Sequence, residues 1–110
     1  MSISPISFKG VYKVTIPKVN EAKNQQEEAA YTDLAINTVV MATNNSVERP
    51  RIDDAGQSMY FKIDDKNDAK FESGFKNILD NCNKQFNLDL AKKAYIEKVS
   101  NEEFEQAQAL

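Results

Sequence analysis

The chain reads as an α+β protein. The expected architecture is a small antiparallel or mixed sheet of three to five strands, one main amphipathic helix over about 66–84 packed on one face, and a short C-terminal helix. Three patterns carry this reading. Ile6, Phe8, Tyr12, Val14 and Ile16 alternate with polar residues, the period of a half-buried strand. Met59, Phe61 and Ile63 do the same within Ser58–Ile63. Phe71, Phe75, Ile78, Leu79, Cys82 and Phe86 recur at helical spacing and form one stripe, which is a core-facing helix.

The elements follow in order. Gly10 interrupts the apolar face of the first strand, where a bulge or a close neighbour would explain it. Pro17 ends that strand, because it has no N–H to give a ladder. Glu21–Tyr31 suits a helix. Leu34–Ala42, rich in Ile, Thr and Val, suits a strand. The alternative is a mostly helical protein in which Glu21–Thr43 and Leu88–Leu110 are each single long helices. Thr43–Gln57 reads as a long polar connector, with Pro50 opposing a central strand and Asp54-Ala55-Gly56 supplying turn chemistry.

In the main helix, Asp65 or Asn67 can cap the start and Asp68 suits the first turn. Gly74 there invites close packing by a strand. Tyr95–Val99 reads as a further strand, since Ser100-Asn101-Glu102-Glu103 has the form of a capping box. That box opens a terminal helix carrying Phe104, Ala107 and Leu110. If helices cover only one sheet face, Val11 and Tyr60 are exposed on the other; if both faces are covered, they are buried.

Composition narrows the chemistry. The 110 residues fit one domain, 1–110, and contain no histidine and one cysteine. Without imidazole the commonest general base, the commonest metal ligand and the usual triads are missing. One cysteine cannot form an internal disulfide or a zinc site. Cys82 lies on the apolar stripe, where a thiol packs as a small hydrophobe. The glycines stand singly, so no phosphate-cradling loop is expected. Ser73-Gly74-Phe75-Lys76 has the spacing of a Ser-x-x-Lys motif, but falls inside the helix. Asp64-Asp65-Lys66-Asn67-Asp68 fails the calcium-loop pattern in either register, lacking the sixth-position glycine and twelfth-position glutamate. Neither a metal nor a cofactor is expected.

The net charge of −3 comes from 14 basic and 17 acidic residues. That argues against direct nucleic-acid binding, which usually needs a basic face. No stretch has the apolar length of a membrane span and no signal peptide is visible, so a reducing, cytoplasmic setting is expected.

These observations favour a non-catalytic small acidic binding protein that occludes a partner protein's surface. Small inhibitors of the phage or mobile-element kind share this profile, and a nucleic-acid-binding protein would be a suitable partner. Candidate contact residues are Glu48, Arg49, Arg51, Asp53 and Asp54 on the connector, Tyr60 on the strand after it, and Glu102, Glu103 and Glu105 on the last helix. Arginine and tyrosine are typical of interface cores. The alternatives are a self-assembling subunit, such as a homodimer using a sheet face or edge, and an enzyme built on carboxylates such as Asp53-Asp54.

Overall fold

The computed structural model describes residues 10–53, 56 and 58–109. Ile6, Phe8, Asp54 and Leu110 lie outside them. The elements run β1 (Gly10–Thr15), α1 (Gln25–Asn45), β2 (Arg51–Ile52), β3 (Ser58–Ile63), α2 (Asp68–Phe86), β4 (Tyr95–Val99), α3 (Asn101–Gln106) and β5 (Gln108–Ala109). The five strands form one sheet in the order β4-β1-β3-β2-β5, and every neighbouring pair is antiparallel. The chain is therefore α+β, with two main helices packed together and a short C-terminal helix.

The expectation of one main helix is corrected. Residues 34–42 are not a strand, and the separate helix over 21–31 is not a unit. Both belong to α1. Asn24 starts it, its side chain accepting the Glu27 N–H at 2.8 Å, and Glu27 and Glu28 sit in the first turn, where the helix dipole favours acids. Ala30, Leu34, Thr38 and Ala42 follow at intervals of four and are all buried. Burial of that face outweighs the strand preference of Ile36, Thr38, Val39 and Val40, because β propensity spans only about 1 kcal/mol and depends on context.

α2 carries the expected stripe, with Phe71, Phe75 and Cys82 buried and Ile78, Leu79 and Phe86 packed at its margins. A 3-10 turn over Asp65–Asn67 leads into it, and Asp64 caps that turn by accepting the Lys66 N–H. Asn87 ends the helix in the left-handed conformation, φ 54°. Gly74 admits α1 and not a strand: a Cβ there would lie 3.3 Å from Met41 Sδ. Gly10 keeps regular register opposite Ile63, so it is no bulge. It lies beneath the first residue of α2, where a Cβ would meet Asp68 Oδ1 at 3.2 Å.

Tyr12, Val14, Phe61 and Ile63 on the sheet meet Leu34 of α1 and Phe71 and Phe75 of α2 in the main core. The Tyr12 and Phe71 rings are 4.6 Å apart. The other sheet face is also covered: Val11 and Tyr60 are buried with Phe104 of α3 in a second, smaller core. The 43–57 connector is shorter than its polarity implies. Its first residues finish α1, Ser46 bridges to Ile63, and Arg51–Ile52 enters the sheet as β2. Among the described residues no helix is long and apolar enough to cross a membrane.

Candidate functional site

Most of the candidate contact residues meet on the face of the sheet that α3 covers. Register places Arg51, Tyr60 and Lys62 on that face beside Lys13. Arg51 reaches the end of α3, and its Nη1 donates to the carbonyls of Phe104 (3.3 Å), Glu105 (2.9 Å) and Ala107 (3.5 Å). Its Nη2 lies 3.7 Å from Glu105 Oε2. The guanidinium carbon is 4.7 Å from the Phe104 ring centroid, and Lys62 Nζ is 4.8 Å from it. Lys62 also pairs with Glu48 at 3.0 Å.

The remaining candidates are similarly engaged. The Tyr60 hydroxyl donates to Glu103 Oε2 at 3.4 Å, and burial, the largest influence, raises its pKa above the ordinary value. Asp53 Oδ1 accepts the Ser58 N–H at 3.3 Å. Glu103 gives its own N–H to Ser100 Oγ, the expected N-cap of α3. Arg51, Asp53, Tyr60, Glu103 and Glu105 thus come together, and they bind one another and the backbone. Glu102 faces solvent, and Arg49 is exposed in the turn between α1 and β2.

A second polar cluster joins β1, α2 and β4. The Tyr12 hydroxyl donates to the Glu72 carboxylate, and Lys98 Nζ donates to Asp68 Oδ2 at 2.7 Å while lying 5.6 Å from the Tyr12 ring centroid. Burial, then the Glu72 hydrogen bond, pushes the Tyr12 pKa well above the usual tyrosine range. The hydrogen bond to Asp68 raises that of Lys98. Tyr12 is thereby held protonated, as a packing residue with a tethered hydroxyl. Cys82 is buried and its thiol donates to the Ala30 carbonyl at 3.4 Å; burial raises its pKa, with Asp33 adding to the effect. That is the reverse of what a nucleophilic thiolate needs. Among the described residues no group of three or more Cys, Asp or Glu side chains is arranged to hold a metal ion.

The surface feature most suited to a ligand lies elsewhere. A cleft of about 400 Å³ opens between α1, the ends of β1 and β3, and the 3-10 turn over Val19–Glu21. Val14 and Phe61 contribute from the sheet, Ala35 and Val39 from α1, and Val19 and Ile52 from the margins. Thr38 also lines it, and its buried hydroxyl has no hydrogen-bond partner. A larger groove of about 770 Å³ between α1 and α2 is walled by Asp33, Asn37, Asn44, Asn81 and Gln85. Polar side chains make up much of this wall, with Val40, Met41 and Ile78 among them, whereas ligand pockets are mostly apolar with a few placed polar groups. No motif in the sequence points to the cleft. Its walls come from segments far apart in the chain, and those from α1 have the composition of a strand.

Beside the cleft, α1 presents a second apolar side. Ile36 and Val40, one turn apart, are 58% and 56% exposed, and Val47 just past the helix is 43% exposed. Comparison with family models, curated proteins and solved structures found no significant match.

Proposed function

We propose that this chain is a non-catalytic binding protein that acts by covering a partner protein's surface, with the outer side of α1 as the contact. The observation that carries the reading is that α1 is apolar on two sides. One side packs into the fold through Ala30, Leu34 and Ala42. The other displays Ile36 and Val40, with Val39 between them and the cleft. A solvated helix normally turns charged residues outward, and adjoining exposed apolar side chains mark contact surfaces more often than isolated ones do.

The charge of −3 favours a partner with a basic surface, such as a nucleic-acid-binding protein. Glu102 adds outward charge on α3. The same apolar side of α1 also supports a second reading, self-association into a homodimer.

The test compares the wild type with an Ile36→Glu/Val40→Glu variant. Both positions are exposed, so circular dichroism and thermal unfolding should match the wild type. Partner capture from the native host at low salt should be lost in the variant. A partner retained equally by both proteins would remove α1 as the surface. If wild type alone sediments as a dimer and the variant as a monomer, self-association takes the place of a foreign partner.

A further inference from the structure

We propose that the cleft beside Thr38 binds a compact, uncharged apolar small molecule carrying one hydroxyl or carbonyl group, and that the Thr38 hydroxyl receives that group. This ligand site is separate from the partner contact on the outer side of α1.

Two threonines of α1 differ in how their hydroxyls are satisfied. The Thr32 hydroxyl donates to the Glu28 carbonyl one turn back at 2.9 Å, the usual outlet for threonine in a helix. Thr38 is 1% exposed, and its Oγ1 makes no such bond and no other. Buried hydroxyls without a partner are uncommon in native structures and call for an explanation. Folding alone gives none, because valine has nearly the same shape and would sit between Leu34 and Ala42 without a polar atom to satisfy.

The setting supplies an explanation. The unpartnered hydroxyl belongs to a side chain lining a cleft whose other walls are largely apolar. About 400 Å³ falls within the range of small-molecule pockets, which typically combine apolar walls with one or a few polar groups that fix orientation. Lys18 and Asn20 line the cleft together with Val19, and no carboxylate lines it among the described residues. An apolar body therefore gains by leaving water. A hydroxyl or carbonyl on that body can meet an oxygen able both to donate and to accept. A charged group placed at Thr38 would gain no ionic partner there and would lose hydration.

The test titrates two probes, 2-naphthol and naphthalene, into isotope-labelled protein and follows amide shifts by NMR. For the wild type, saturable shifts should centre on Val14, Thr38, Val39 and Phe61, with 2-naphthol binding about tenfold more tightly than naphthalene, the scale of one hydrogen bond in a buried site. Thr38→Val should bind both probes equally, and Thr38→Ser should keep the preference. Four results each overturn the proposal: no saturable shift with either probe, shifts centred elsewhere, equal affinity of the two probes for wild type, or a naphthol preference that survives in Thr38→Val. Thermal unfolding of each variant, expected at or above the wild-type midpoint for Thr38→Val, shows that the comparison is made on folded protein.

Discussion

Arg51 lies over the ring of Phe104, with its guanidinium carbon 4.7 Å from the ring centroid, and the same side chain donates to the Phe104, Glu105 and Ala107 carbonyls. A cation from β2 thus sits at the C-terminal end of α3, where the helix dipole favours positive charge. α3 has only six residues, too few to be stable alone. Its position depends on Phe104 beneath it, Ser100 at its start and Arg51 at its end.

Replacing Arg51 should therefore destabilise the fold, although its position near the surface suggests tolerance. Arg51→Ala removes a guanidinium that donates to three carbonyls and lies over the Phe104 ring, and should cost about 1–3 kcal/mol. Arg51→Lys should recover little, because an ammonium cannot stack and span several carbonyls as a planar guanidinium does. Urea unfolding of the three proteins measures this. An Arg51→Ala midpoint equal to wild type would reduce the arginine to a surface ornament.

Phe104→Ala should be more damaging. Phe104 is fully buried and joins Val11 and Tyr60 in the second core, so truncation should cost about 3–5 kcal/mol, in line with other buried Phe→Ala changes. The loss should also uncover the second sheet face. Amide exchange should then rise at Val11 and Tyr60 before it rises at Phe71 or Phe75, which sit in the main core.

Features carried by neighbouring residues are legible in the sequence, and features that join distant segments are not. Strands β1, β3 and β4, the stripe of α2 and the Ser100 cap are visible because period and capping chemistry are local. α1 looks partly like a strand because Ile36, Thr38, Val39 and Val40 favour one. The deciding force, burial of Leu34 and Ala42 against the fold, comes from residues distant in the chain. β2 and β5 have two residues each, too short for any alternation. Arg51 and Tyr60 stand out by residue type, but their partners on α3 are more than forty positions away. The Thr38 cleft combines four separate segments and has no sequence signature.

Gly74→Ala tests the approach of α1 to α2. Alanine is favoured over glycine within a helix by about 1 kcal/mol. Against this, the new Cβ would lie 3.3 Å from Met41 Sδ. A thioether on an unbranched chain adjusts readily and Met41 is only partly buried, so a net gain of about 0.5 kcal/mol is expected. Gly74→Leu cannot be accommodated this way and should destabilise. If Gly74→Ala also lowers the unfolding midpoint, the two helices are packed too rigidly for Met41 to yield.

Alkaline titration tests Tyr12 and Tyr60. The Tyr12 pKa is raised above the ordinary tyrosine value, chiefly by burial and then by Glu72, and that of Tyr60 is raised chiefly by burial. A raised folded pKa means that the folded state holds its proton more tightly than the unfolded chain. The resulting stability is fully present below the unfolded value and is lost as pH rises through the folded one. Stability should therefore fall as pH climbs above about 10, the unfolded tyrosine range. Tyr12 and Tyr60 should form tyrosinate late, in step with unfolding. Tyr12→Phe should flatten the alkaline decline and remove one late-titrating group from the absorbance curve. Its stability near neutral pH should stay close to wild type or fall modestly, since Glu72 is exposed and regains water when the hydroxyl is removed. An absorbance step near pH 10 that Tyr12→Phe removes, while circular dichroism still reports the folded protein, would contradict the tethered and buried state of Tyr12.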